Sequence, residues 1–118
     1  MPALNFKARF APLVESGQKR QTIRAFRKDR RDPKPGDGLF LFTGMPTKQC
    51  RRLRDAICTA VTHISIVHPE GFFLAGRLLC HEERQRMAEA DGFLNPGEMA
   101  EWFDRVYGLP FDGFLIQW

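Results

Sequence analysis

The order of the hydrophobic periods constrains this chain most. Five apolar stretches that fit strands lie within the first eighty residues, and the two longest helical patterns sit together near the end. Residues 4–9 read as a strand, with Leu4 and Phe6 alternating against polar neighbours. Phe10, Leu13 and Val14 then recur at helical spacing, Pro12 suits a first turn, and Gly17 stands where a helix stops. Residues 21–26 are strand-like, and a period of two puts Thr22 and Arg24 on one face and Ile23 on the other. The run LFLFT at 39–43, bounded by Gly38 and Gly44, makes a third strand. Residues 56–67 and 72–79 make two more, joined by a turn at His68-Pro69-Glu70-Gly71.

Two helices come next. Residues 82–91 are rich in helix formers, stop at Gly92, and have His81 as a helix-start residue. The second is better signposted: Asn95 can cap, Pro96 sits at the first helical position, and Glu98 has capping-box spacing. Met99, Trp102, Phe103 and Val106 form its apolar stripe, read here as core, and Gly108 and Pro110 end it. Residues 114–118 form a closing strand. The resulting order, β-α-β-β-β-β-α-α-β, does not alternate as a doubly wound sheet would. It predicts an α+β fold: one domain over residues 1–118, a closed or nearly closed barrel of five to six strands, decorated by two to three helices.

Charge narrows the partner. Residues 1–54 hold 14 Lys and Arg against four acids, a net of +10, while residues 55–118 hold four against ten, a net of −6. That asymmetry is an electrostatic footprint for a polyanion on the N-terminal half, and the acidic half argues against a general coat for duplex DNA. Two segments are densest, 27–34 with Arg27, Lys28, Arg30, Arg31 and Lys34, and 48–54 with Lys48, Arg51, Arg52 and Arg54. No apolar run approaches the ~20 residues of a membrane span, and the opening Met-Pro-Ala-Leu-Asn-Phe lacks the blocks of a signal peptide. Cys50, Cys58 and Cys80 are odd in number and lack metal-ligand spacing, as do His63, His68 and His81. A cytoplasmic protein with reduced thiols, no membrane contact, no metal and no cofactor is expected. Ser16 and Ser65 have no nucleophile context, and Gly36-Asp37-Gly38 leads into a strand, not the helix of a phosphate loop.

The segment Gly17-Gln18-Lys19-Arg20-Gln21-Thr22-Ile23-Arg24 carries the chemistry. A sharp turn after Gly17 lets Lys19 converge with Thr22 and Arg24, and an ammonium, a hydroxyl and a guanidinium together suit a phosphate, a carbonyl or a base edge. The plainer alternative pairs Arg24 with an acid such as Asp37 and leaves Lys19 in solvent. Asp91 lies at a helix C-terminus, where the dipole disfavours negative charge. An acid there is either locally paired, for instance capping the Asp-Gly turn, or positioned for use.

The pattern Gly-x-Lys-x-x-Thr-Ile-Arg, followed by Gly36-Asp37 before an apolar strand, resembles the signature of the ASCH family. Ala90-Asp91-Gly92-Phe93, Met99…Trp102-Phe103, Tyr107-Gly108 and the closing Gly113-Phe114-Leu115-Ile116-Gln117-Trp118 resemble its small phage-type and bacterial members. The resemblance runs from about Leu4 to Trp118 and implies a PUA-like barrel with an RNA-binding cleft. It is similar, more distantly, to the N4-acetylcytidine amidohydrolases, whose Lys and Thr match Lys19 and Thr22 and whose Glu falls on Asp91, one methylene shorter. A carboxylate drawn back that far can misplace a proton transfer.

The expected function is an RNA- or nucleotide-binding domain that works as a monomer. Lys19, Thr22, Arg24 and Asp91 form its pocket for an unpaired or modified nucleoside, Phe26 or Phe93 stacks on the base, and Arg20, Arg27, Lys28, Arg30, Arg31, Lys34, Arg51 and Arg52 meet nucleic acid. The alternative is a small hydrolase acting on a modified nucleoside, or a ribonuclease, with Lys19, Thr22 and Asp91 catalytic. A third idea is a phage-encoded protein whose basic loops grip a host partner.

Overall fold

The computed structural model describes residues 3–118. In chain order they form β1 (Ala3–Phe6), α1 (Ala11–Ser16), β2 (Gln21–Ala25), β3 (Gly38–Thr43), β4 (Arg51–Ile57), β5 (Ala60–Val67), β6 (Gly71–Leu74), β7 (Arg77–Leu78), α2 (His81–Ala90), α3 (Pro96–Val106) and β8 (Phe111–Gln117). The fold is α+β, with three helices, but its eight strands make two sheets and neither closes into a barrel. The smaller sheet runs β1-β3-β4, with β1 parallel to β3 and β4 antiparallel. The larger runs β2-β8-β5-β6-β7 and is antiparallel throughout.

The expected barrel of five to six strands is therefore corrected, for reasons visible in particular residues. β4 carries Arg51, Arg52, Arg54 and Asp55 around a single buried residue, Leu53. It is the edge of its sheet, where charge protects an open ladder and hides the strand's apolar pattern. β6 and β7 are separated by Ala75 and Gly76, both at positive φ (51° and 80°), which is the two-residue turn of a tight hairpin. The chain changes sheets at Cys58-Thr59. The Cys58 amide bonds Asp37 O at 2.8 Å in the smaller sheet, and the next amide, Thr59, bonds Gln117 O at 2.8 Å in the larger. That corner joins the sheets on one side. On the other side β1 and β2 have no ladder between them, and the Arg24 Nη2 donates to Asn5 O at 2.7 Å across the gap.

The helices cover the sheets. α1 ends on Gly17, whose φ of 86° is the left-handed cap a helix stop needs. α3 begins as its residues predict, with the Asn95 side chain accepting from the Glu98 amide at 2.8 Å and Pro96 in the first turn. The Glu98 carboxylate does not complete a capping box; it pairs with Arg9 and accepts from the Leu94 amide at 3.3 Å. Met99 and Phe103 are buried, and Phe103 meets Phe111 of β8 with ring centres 5.0 Å apart. Trp102 is half-buried and packs against that core, while Val106 is exposed at 42%, so only the last position of the stripe leaves the core.

Candidate functional site

After the Gly17 cap, the Lys19 amide bonds Leu13 O at 2.9 Å, which turns the chain back under α1 before β2 starts. The Lys19 side chain is thereby drawn inward, to 3% exposure. Its Nζ donates to Asp91 Oδ1 at 2.9 Å and to Asp91 O at 2.7 Å, and lies 5.0 Å from the centre of the Phe10 ring. Asp91 is the C-terminal cap of α2 and is itself 4% exposed. One ammonium thus meets both the carboxylate and the free carbonyl that end this helix, offsetting a charge the helix dipole disfavours. Burial pushes the Asp91 carboxyl above its ordinary pKa, and Lys19 pulls it part of the way back. Burial lowers Lys19 in turn, with Asp91 opposing. Both groups are displaced toward their neutral forms, as desolvation requires.

Thr22 and Arg24 do share a face, since the Arg24 Nε donates to Thr22 Oγ1 at 3.1 Å. The guanidinium lies 4.8 Å from the Phe6 ring centre, and burial draws its pKa below the usual value. The plainer alternatives are overturned. Asp37 instead accepts from the Lys34 amide at 2.9 Å, and Lys19 is far from solvent.

These residues line a cavity of about 110 Å³ in the gap between β1 and β2 where the sheets fail to close. Lys19, Thr22, Arg24 and Asp91 form its polar side, and Phe6, Phe10, Phe93, Trp102 and Tyr107 contribute its aromatic walls. Trp102 packs edge-on to Phe10 at 6.2 Å and tilted to Phe93 at 5.8 Å, with the Lys7 ammonium 5.2 Å from its ring centre. Reading the sequence missed Asn5, Lys7, Phe10, Trp102 and Tyr107 as wall residues. Trp102 packs on the core and also faces this space, and Val106, part of the apolar stripe, faces it as well. Their helical period marked an apolar stripe without revealing that its partner is a cavity. The volume is near that of the ~150 Å³ apolar cavity that admits one benzene ring, which suits a single ring and not a whole nucleotide.

The basic residues fall into two groups. In the 27–34 loop, Asp32 accepts from the Arg27 amide at 3.0 Å, Asp29 from the Arg31 amide at 2.9 Å, and Asp37 braces Lys34. The acids tie down backbone, so among the described residues Arg27, Lys28, Arg30, Arg31 and Lys34 have no carboxylate partner for their side chains. Arg20, exposed beside Lys19, has none either. Arg51 and Arg52, on the outer edge of the smaller sheet, are engaged: Arg51 with Glu15 at 2.6 Å, and Arg52 with Asp55 at 2.7 Å while lying over Phe40. The structure thus links the loop, and not β4, to the cavity. Arg24 and Tyr107 wall both the cavity and a second depression, and Arg27 and Asp32 wall both that depression and the hollow of the loop. The three hollows are neighbours through these shared walls.

Among the described residues no cluster of His, Cys, Asp and Glu is arranged to hold a metal, and no helix is long and apolar enough to cross a membrane. Cys50 and Cys80 are exposed and Cys58 buried, all free. Ser65 and His63 both bond Asp112 but not each other, so they are no nucleophilic triad. Comparison with protein-family models, with curated proteins and with solved structures returned no match.

Proposed function

We propose that this chain is an RNA- or nucleotide-binding domain of the ASCH type, with a PUA-like arrangement of its sheets, whose cavity takes an unpaired or modified base. One observation carries the reading: a buried Lys19–Asp91 pair, with Thr22 and Arg24 beside it, faces a ring-sized aromatic-walled cavity that leads onto unpaired cations. Thr22 accepts from Arg24, so its own proton is free to donate to a ligand acceptor. Lys19 uses two of its three N–H bonds on Asp91 and has one left. Two donors beside flat apolar walls suit the carbonyl or ring nitrogen of a base, and the space favours a pyrimidine-sized ring. Phosphates then run toward Arg27 and its loop. A cytoplasmic monomer acting without cofactor or metal completes this reading.

The hydrolase reading has its own support in the same pair. A carboxylate and an amine both pushed toward neutrality, next to a hydroxyl, can move a proton. Asp91 would take a proton from water as the water oxygen bonds the acyl carbon of a modified base, with Lys19 meeting the oxyanion. The C–N bond would then break as the amine leaves with that proton. Phosphodiester cleavage in RNA is the corresponding ribonuclease form. One experiment tests both readings: titration and incubation with cytidine, N4-acetylcytidine and labelled single-stranded RNA, read by calorimetry, mass spectrometry and gel. Binding without turnover, lost in Lys19→Ala, is expected. Turnover abolished by Asp91→Asn would make the domain an enzyme, and no binding to any of the three would remove both readings.

A further inference from the structure

We propose a second base-binding subsite at the exposed end of the Thr22–Arg24 face of the larger sheet, where Phe26, His63 and Phe114 form a stacking platform for the nucleotide next to the one in the cavity. The inference rests on the nucleic-acid reading of the cavity and adds a place for a second base.

The register of the sheet puts the platform on the cavity's side of β2. Arg24 is paired with Phe114, and Phe114 with His63, and residues directly opposite in an antiparallel ladder point to the same face. Thr22 and Arg24 share that face by their period of two. Phe26 continues it, since its ring meets Phe114 edge-on at 4.8 Å and lies nearly parallel to His63, 5.8 Å away at 16°. Thr22, Arg24 and Phe26 therefore form a row that starts with two residues of the cavity lining and ends on exposed aromatic surface.

Phe26 is 47% exposed and clusters with His63 and Phe114, so the three rings present one aromatic patch and not a lone exposed side chain. Its neighbours are held in place. His63 Nε2 lies 3.1 Å from Asp112 Oδ1, and Ser65 donates to the same carboxylate, so the imidazole has a hydrogen-bond partner that orients it. A pre-ordered platform loses little entropy on binding. The charge beside it identifies the occupant. Arg27 follows directly in the chain, its side chain donates to Ala3 O at 3.3 Å on the wall of the second depression, and Arg30, Arg31 and Lys34 line the adjoining hollow of the loop. The Asp112 carboxylate braces His63, and it is the loop cations, without carboxylate partners among the described residues, that suit this aromatic surface to a base with its phosphate and not to an apolar partner.

Four residues of strand separate Thr22 from Phe26, about 13 Å at ~3.3 Å per residue. Stacked neighbouring bases rise only ~3.4 Å. A strand filling both sites must be unstacked and splayed, which selects single-stranded RNA over a helix.

The test compares cytidine monophosphate with a pyrimidine pentanucleotide as ligands of the wild type, Phe26→Ala and Phe26→Tyr, with oligomeric state followed by light scattering. Phe26→Ala should weaken the pentanucleotide about tenfold, leave the mononucleotide unchanged, and be rescued by Phe26→Tyr. Pentanucleotide affinity that survives Phe26→Ala but falls in Lys19→Ala overturns the platform and keeps the cavity. Absence of binding by the wild type to either ligand overturns the cavity reading and the platform with it. A wild-type dimer that Phe26→Ala dissociates, with RNA affinity intact, assigns this face to a second copy of the chain and overturns the proposal.

Discussion

Lys19 and Asp91 are the most consequential residues in the molecule, and their geometry explains why removing one differs from removing both. Burial penalises the charged form of each, and the other group 2.9 Å away is what offsets that penalty. Taking one away leaves a buried charge without its partner, which costs about 3–5 kcal/mol, whereas replacing a buried pair with apolar groups of similar size is often neutral or stabilising. Lys19→Met and Asp91→Leu should each lower the urea midpoint sharply, and the double variant should recover most of the loss. Near-additive single losses would mean the two do not act as a pair. The pH dependence has a definite sign. A carboxyl whose folded pKa is raised binds its proton more tightly in the folded state. Its contribution to stability is therefore present at low pH and lost as pH rises from the ordinary carboxylate value to the raised one. Lys19, lowered by burial, favours the folded state only when neutral, so its contribution is lost as pH falls through its reduced value. Near neutrality both penalties apply, and the double variant should gain on the wild type as pH is raised from 4 toward neutrality.

At the scale of elements, α3 divides its side chains between two tasks. Phe103 touches the cavity but is 1% exposed and packs on β8, so Phe103→Ala should destabilise by about 3–5 kcal/mol, the void left behind included. Trp102 is half-buried and walls the cavity, so Trp102→Ala should lose less stability and more nucleoside affinity. Thermal melts alongside calorimetric titration check the split. Equal losses of stability in both variants would return Trp102 to the core. This division was only partly legible in the sequence. The Asn95 cap and the apolar stripe are local signals and were readable, but which residues of the stripe meet solid core depends on β1 and α1, some ninety residues earlier. β4 was not legible at all, because three arginines in seven residues mask its only buried side chain.

For the whole molecule, charge segregation survives folding in a narrower form. Among the described residues the cations of the 27–34 loop have no carboxylate partner, while Arg51 and Arg52 are taken up by Glu15 and Asp55. Single-stranded RNA affinity should fall with salt at a slope of about −0.7 per phosphate neutralised. Replacing Arg30 and Arg31 by Ala should flatten the slope, and replacing Arg51 and Arg52 should change it little. The reverse pattern would put the phosphate path on β4.

The amino-acid sequence by itself determined what short-range physics settles: the strand period that aligns Thr22 with Arg24, the stop at Gly17, the start of α3, and the excess of positive charge in the first half. It also brought Lys19 near Thr22, because one turn and one strand suffice. The tertiary structure alone decided that the sheets stay open between β1 and β2, that a cavity fills the gap, and that Lys19 is buried against Asp91 and not solvated. Those outcomes depend on contacts between residues dozens of positions apart. Whether a charge is paired, and whether a ring is core or wall, is set by what packing brings beside it, and a local pattern carries no record of that neighbour.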